Sequence, residues 1–202
     1  MTITDIWAAI ATFFVCLLAV MCTSCEAHVP DVETVGVLRQ DCGDRTYALG
    51  TAWVYGDLLI TANHVVDCGD SATWGKSNVE VCARHEMADI AALRLPEHLW
   101  GNEPCSADTH PMDVVCAITM DVSRPEVGPI EKCGLVLHPV PGEPWSMYSS
   151  AYPGIIRGNS GSPVINEDGC VVGVVTRARY SVDGTLYIFE TGIEDVVDAC
   201  HE

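Results

Sequence analysis

From Val35 onward the chain is written as short runs rich in Val, Ile, Tyr and Thr, cut at close intervals by Gly, Pro, Asn and Asp. An amphipathic helix needs ten or more residues of unbroken 3.6 periodicity, and few stretches here last that long. β-Branched and aromatic residues instead pack well on a pleated surface. The candidate strands are Val35–Arg39, Tyr47–Val54, Leu58–Thr61, Val79–Ala83, Ile90–Leu95, Val114–Thr119, Leu135–His138, Met147–Ala151, Pro163–Ile165, Val171–Thr176 and Leu186–Phe189. Gly192 to Cys200 departs from this pattern. Its apolar residues Ile193, Val196, Val197 and Cys200 have the spacing of a short closing helix with one stripe against the body. The expected class is all-β with a short C-terminal helix.

A turn-rich segment between Leu95 and Pro111 holds Pro96, Gly101, Asn102 and Pro104, and divides the strands into two sets, at about 31–100 and 111–202. Closing each set on itself would remove exposed strand edges. A cleft between two closed sheets is a natural place for a site. The chain shows no internal repeat and no low-complexity tract.

Residues 1–25 read as a leader, either a signal peptide or a membrane anchor. Ile6 to Cys22 is apolar except for Thr12, and the small residues Thr23 and Ser24 follow. The run is short for a membrane span and long for a signal core. Asp5 stands where a signal carries positive charge, and no Lys or Arg precedes Arg39. A retained tether through residues 6–22 is therefore the rival to cleavage. Cys25 loosely resembles an acylation site, but Cys22 occupies the place of its Leu.

Outside the leader stand eight cysteines, Cys42, Cys68, Cys82, Cys105, Cys116, Cys133, Cys170 and Cys200. An even, dispersed set reads as up to four disulfides in an extracytoplasmic compartment. Structural zinc would require closely spaced pairs, and none occurs there. Cys42 with Cys68 is the expected first bridge, because the two flank the segment that carries His64. The formal charge of −18 argues against a nucleic-acid partner, since phosphate binding needs a basic surface. It suits a soluble monomer.

Three segments carry chemistry. Gly158-Asn159-Ser160-Gly161-Ser162-Pro163 offers a hydroxyl, Thr61-Ala62-Asn63-His64 an imidazole, and Asp89-Ile90-Ala91-Ala92-Leu93 a carboxylate. A serine hydroxyl is a poor nucleophile until a base takes its proton, and the base needs a third group to hold its tautomer. Asp57, Asp67 and Asp70 compete with Asp89, but all three fall in expected turns. A nucleophile elbow would place Asp and His after Ser along the chain. Only His201 lies late, and no βαβ alternation is present.

With Gly50-Thr51-Ala52-Trp53-Val54 and Gly169-Cys170-Val171-Val172-Gly173-Val174-Val175, these segments resemble the trypsin-like (chymotrypsin-fold) serine peptidases. The likeness covers most of residues 33 to 190 and is greatest to the glutamyl endopeptidases and HtrA-type proteases. It implies two antiparallel β-barrels with the active-site cleft between them, and a protease domain over 26–202. It implies His64 as general base, Asp89 as its orienting carboxylate and Ser160 as nucleophile. Gly158 and Ser160 would form the oxyanion hole. Asn159 stands where the digestive members have Asp, so activation by a new N-terminal amine is not expected. Gly154 and Ile155 would enter the primary pocket wall, with Val175, Thr176 and Arg177 facing them, and the backbone of Thr176 and Arg177 would pair with an extended substrate. No acid falls at the pocket base, so a preference for Lys or Arg is not expected. Arg177 and Arg179 suggest an acidic side chain, Ile155 and Val175 an apolar one.

The resemblance implies a secreted or membrane-tethered serine endopeptidase that acts on a protein or peptide substrate with no metal or organic cofactor. Its rivals are an inactive, protease-like binding module and a processing protease with one partner substrate. The HtrA likeness is confined to the catalytic body, and no PDZ-like domain is expected after Glu202.

Overall fold

The computed structural model describes residues 34–44, 46–137, 144–149, 158–181 and 183–202. The leader, Gly154 and Ile155 lie outside them. Among these described residues are twelve strands and one α-helix: β1 Val35–Asp41, β2 Tyr47–Tyr55, β3 Leu58–Ala62, β4 Ser71–Trp74, β5 Ser77–His85, β6 Ile90–Arg94, β7 Val114–Met120, β8 Pro129–Leu137, β9 Trp145–Ser149, β10 Pro163–Asn166, β11 Val171–Ser181, β12 Gly184–Glu190 and α1 Ile193–His201.

Strands β1 to β6 close into one barrel in the order β1-β2-β3-β6-β5-β4, and β7 to β12 into a second in the order β10-β11-β12-β9-β8-β7. All strand pairings within them are antiparallel. The first closure rests on Leu38↔Trp74 and Arg39↔Thr73, the second on the pairing of β10 with β7. The expected two-barrel fold and closing helix are thus present.

Two strand expectations need correction. β4 is absent from the candidate strands; it is only four residues long, its Ser71 and Ala72 carry little strand signal, and pairing with β1 and β5 recruits it. β8 begins at Pro129 rather than Leu135, because Glu131 and Lys132 interrupt the apolar pattern there. Lys132, opposite Ala117, is buried, and loss of water pushes its ammonium below the usual lysine value.

The strands that read as continuous apolar runs are buried on both faces. On β6, Ala91 and Leu93 pack inside the first barrel, while Ile90 and Ala92 join a core between the barrels. On β7, Val115 and Ala117 face the second barrel's interior, while Cys116, Ile118 and Met120 join that same shared core. Ile193, Val196 and Cys200 of α1 add to it, so the helix that follows the second barrel docks on β5 and β6 of the first. Among the described residues there are four disulfides: Cys42–Cys68, as expected, with Cys82–Cys200, Cys105–Cys170 and Cys116–Cys133.

Candidate active site

His64 lies in a 3₁₀ turn, Asn63–Val66, immediately after β3. Val65 and Val66 are buried and pin the turn to the first barrel's core. Arg84 of β5 braces the same region by donating to Asn63 Oδ1 at 2.9 Å and to the Gly69 carbonyl at 2.8 Å.

Asp89 stands just before β6 with φ at 53°, in the left-handed region that Asp tolerates better than most residues. Its carbonyl accepts the Asn63 N–H at 2.9 Å, and its Oδ1 accepts the His64 N–H at 2.9 Å. The second carboxylate oxygen, Oδ2, lies 2.7 Å from His64 Nδ1. An ionised carboxylate only accepts, so Nδ1 is the donor in this contact, and in the neutral ring the Nε2 lone pair is then open. Asp67 and Asp70 are exposed, and Asp57 pairs with His201 at 3.2 Å, away from His64.

Ser160 sits in the loop before β10. Strand β2 of the opposite barrel holds that loop: Thr51 donates its N–H to the Ser160 carbonyl at 2.8 Å and its hydroxyl to the Gly158 carbonyl at 2.6 Å. The Met120 N–H in turn donates to Thr51 Oγ1 at 3.1 Å. A Cβ at Gly50 would press against Val65 and the Ser160 carbonyl, so glycine is required beside this contact. The Gly-Thr-Ala segment was noted in the sequence, but nothing local shows that Thr51 reaches across to the serine loop.

Gly158 has φ at 100° and Gly161 at 87°, values that disfavour a side chain. Among the described residues, no hydrogen bond takes up the N–H of Gly158 or of Ser160. The Ser160 hydroxyl lies 3.4 Å from the Thr176 carbonyl. Asn159 is buried and donates to the Tyr180 hydroxyl at 3.0 Å.

His64, Asp89, Ser160, Thr176 and Arg177 line one cleft of about 1000 Å³ between the barrels. Val175 is buried in the second barrel's core and does not line it. Glu190, which sequence reasoning missed, does. Burial raises the pKa of its carboxyl, Arg177 opposes that shift, Asp89 reinforces it and His85 opposes it.

No known family model matches the chain, and no curated protein does. Many solved structures share its fold. It superposes on the HtrA-type protease AlgW with a tripeptide at a TM-score of 0.61 and 18% identity, covering 83% of this chain and 58% of that one. An M. tuberculosis protease in its active form gives a TM-score of 0.63 at 19% identity, covering 84% and 80%. A human pathogenic astrovirus serine protease gives 0.62 at 16% identity, covering 82% and 94%. The chain thus spans little more than half of the HtrA-type structure, and its fold is that of the chymotrypsin-like serine proteases.

Proposed function

We propose that the protein is a serine endopeptidase in which His64, Asp89 and Ser160 form a catalytic triad. The observation that carries this reading is the Asp89–His64 pair, opening onto the same cleft as Ser160. With its proton on Nδ1, His64 presents Nε2 as a base. Ser160 Oγ attacks the scissile carbonyl carbon while its proton passes to Nε2. The carbonyl oxygen gains negative charge within reach of the Gly158 and Ser160 N–H groups. Each such donor is worth about 2.7–4 kcal/mol in the transition state. The C–N bond then breaks, His64 returns the proton to the leaving amine, and water hydrolyses the Ser160 ester by the same route. Thr176 and Arg177 offer backbone groups for pairing with an extended peptide.

Four disulfides support an extracytoplasmic location, secreted or tethered, because such bonds persist in oxidising compartments. The decisive experiment is fluorophosphonate labelling and peptide hydrolysis by wild type and Ser160→Ala. Wild type labels and cleaves, and the variant loses labelling and on the order of a millionfold in kcat. Equal hydrolysis by the variant rejects the assignment, and a wild type that never labels points to a protease-like binding module.

A further inference from the structure

Strand β11 runs well past its partner. Its pairing with β10 covers Val171 to Val174, while β12 follows it to Ser181. On the β10 side the last backbone bonds join Val175 to Gly161 and Ser162. From Thr176 to Arg179 that edge has no backbone partner among the described residues, and it begins 3.4 Å from the Ser160 hydroxyl.

An extended peptide laid antiparallel on this edge, with its scissile carbonyl at Ser160, acquires a fixed register. The first residue before the scissile bond stands against Thr176, the second against Arg177, the third against Ala178 and the fourth against Arg179. Residues directly opposite in a sheet share a face. All four line the cleft, and burial shows which face each carries: Thr176 is buried and Ala178 packs against the second barrel's core, whereas Arg177 and Arg179 are exposed.

The other described arginines are engaged. Arg84 and Arg94 donate to backbone and side-chain acceptors, Arg124 pairs with Asp121, and Arg39 stacks on Tyr47. Arg177 feels the field of Glu190, and Arg179 has no ion pair among the described residues. Building on the endopeptidase reading, we propose that Arg177 and Arg179 select acidic side chains at the second and fourth residues before the scissile bond. The molecule's acidity does not cancel this selection. Distant charges are screened beyond about 8 Å at physiological ionic strength, while a contact pair is screened much less.

The test compares peptides cleaved from a library, each bearing Asp or Glu against Asn or Gln at the second, third or fourth position. An acid at the second or fourth position raises kcat/KM about three- to fivefold, as exposed pairs do. An acid at the third, on the opposite face, does not. Arg177→Gln removes the preference at the second position and Arg179→Gln that at the fourth, and about 0.5 M NaCl weakens both. An equal preference at the third position, or preferences unchanged in the variants, overturns the proposal. Fluorophosphonate labelling separates the two levels. Labelling without cleavage of any acid-bearing peptide, or with cleavage indifferent to acid, rejects the selection alone. Absence of labelling in the wild type rejects the enzymatic reading and the selection with it.

Discussion

Glu190 ends β12 opposite Val174 and shares the cleft with Asp89. Burial is the first cause of its raised pKa, and the nearby Asp89 charge adds to it against the opposing arginine and histidine. The native state therefore holds this proton more tightly than the unfolded chain. Below the ordinary carboxylate value of 4.5 both states are protonated and the group favours neither. As pH rises from there to the raised native value, the unfolded chain ionises first and stability falls. Glu190→Gln removes that descent. Melting temperatures measured from pH 4 to 8 are expected to show the variant gaining on wild type as pH rises through this window and then holding a constant advantage. A gap that widens toward low pH would contradict the assignment.

At the scale of elements, the serine loop depends on two barrels at once. A Cβ at Gly161 would collide with the Thr51 carbonyl and the Thr61 hydroxyl, in a backbone region that already disfavours it. Gly161→Ala is expected to cost about 3 kcal/mol or more through strain and displaced backbone. For a domain of this size that lowers Tm by roughly 6–12 °C. Gly75→Ala provides the contrast. Its φ is also positive, at 62°, but nothing lies within 4 Å of the added carbon. It should cost only about 1 kcal/mol, the intrinsic penalty of that conformation. Thermal melts of both variants check the difference, and equal losses would show that conformation rather than packing controls the loop.

For the whole molecule, α1 adds to the coupling that the shared core and Thr51 provide between the barrels. Its last turn is tied to β5 by Cys82–Cys200, while Arg94 donates to the Cys200 carbonyl. His85 pairs with Asp195 at 3.7 Å and His201 with Asp57 at 3.2 Å, both between the helix and the first barrel. Cys82–Cys200 closes a separation of 118 residues and Cys116–Cys133 one of 17. Loop-closure entropy then assigns about 5 kcal/mol to the first bridge and about 3 kcal/mol to the second. Replacing Cys82 and Cys200 with Ser should lower the denaturation midpoint more than replacing Cys116 and Cys133. The opposite order in guanidinium titrations would show that local strain, not chain restriction, sets these bonds' contribution.

Short apolar runs, turn clusters and the His, Asp and Ser segments were legible in the sequence because each depends on neighbours along the chain. Side-chain period, backbone preference and turn chemistry act over a few residues, so Ile90 to Leu93 already reads as a strand buried on both faces. The tertiary structure alone decided the rest. It recruited Ser71–Trp74 into a barrel that only its partners could close. It paired six of the cysteines whose spacing allowed many partners. It also brought Thr51 across to the Ser160 loop and Glu190 into the same cleft as Asp89. Each of these joins residues far apart in sequence, and such contacts are selected by how the whole chain packs and closes its sheets, for which no short segment carries the information.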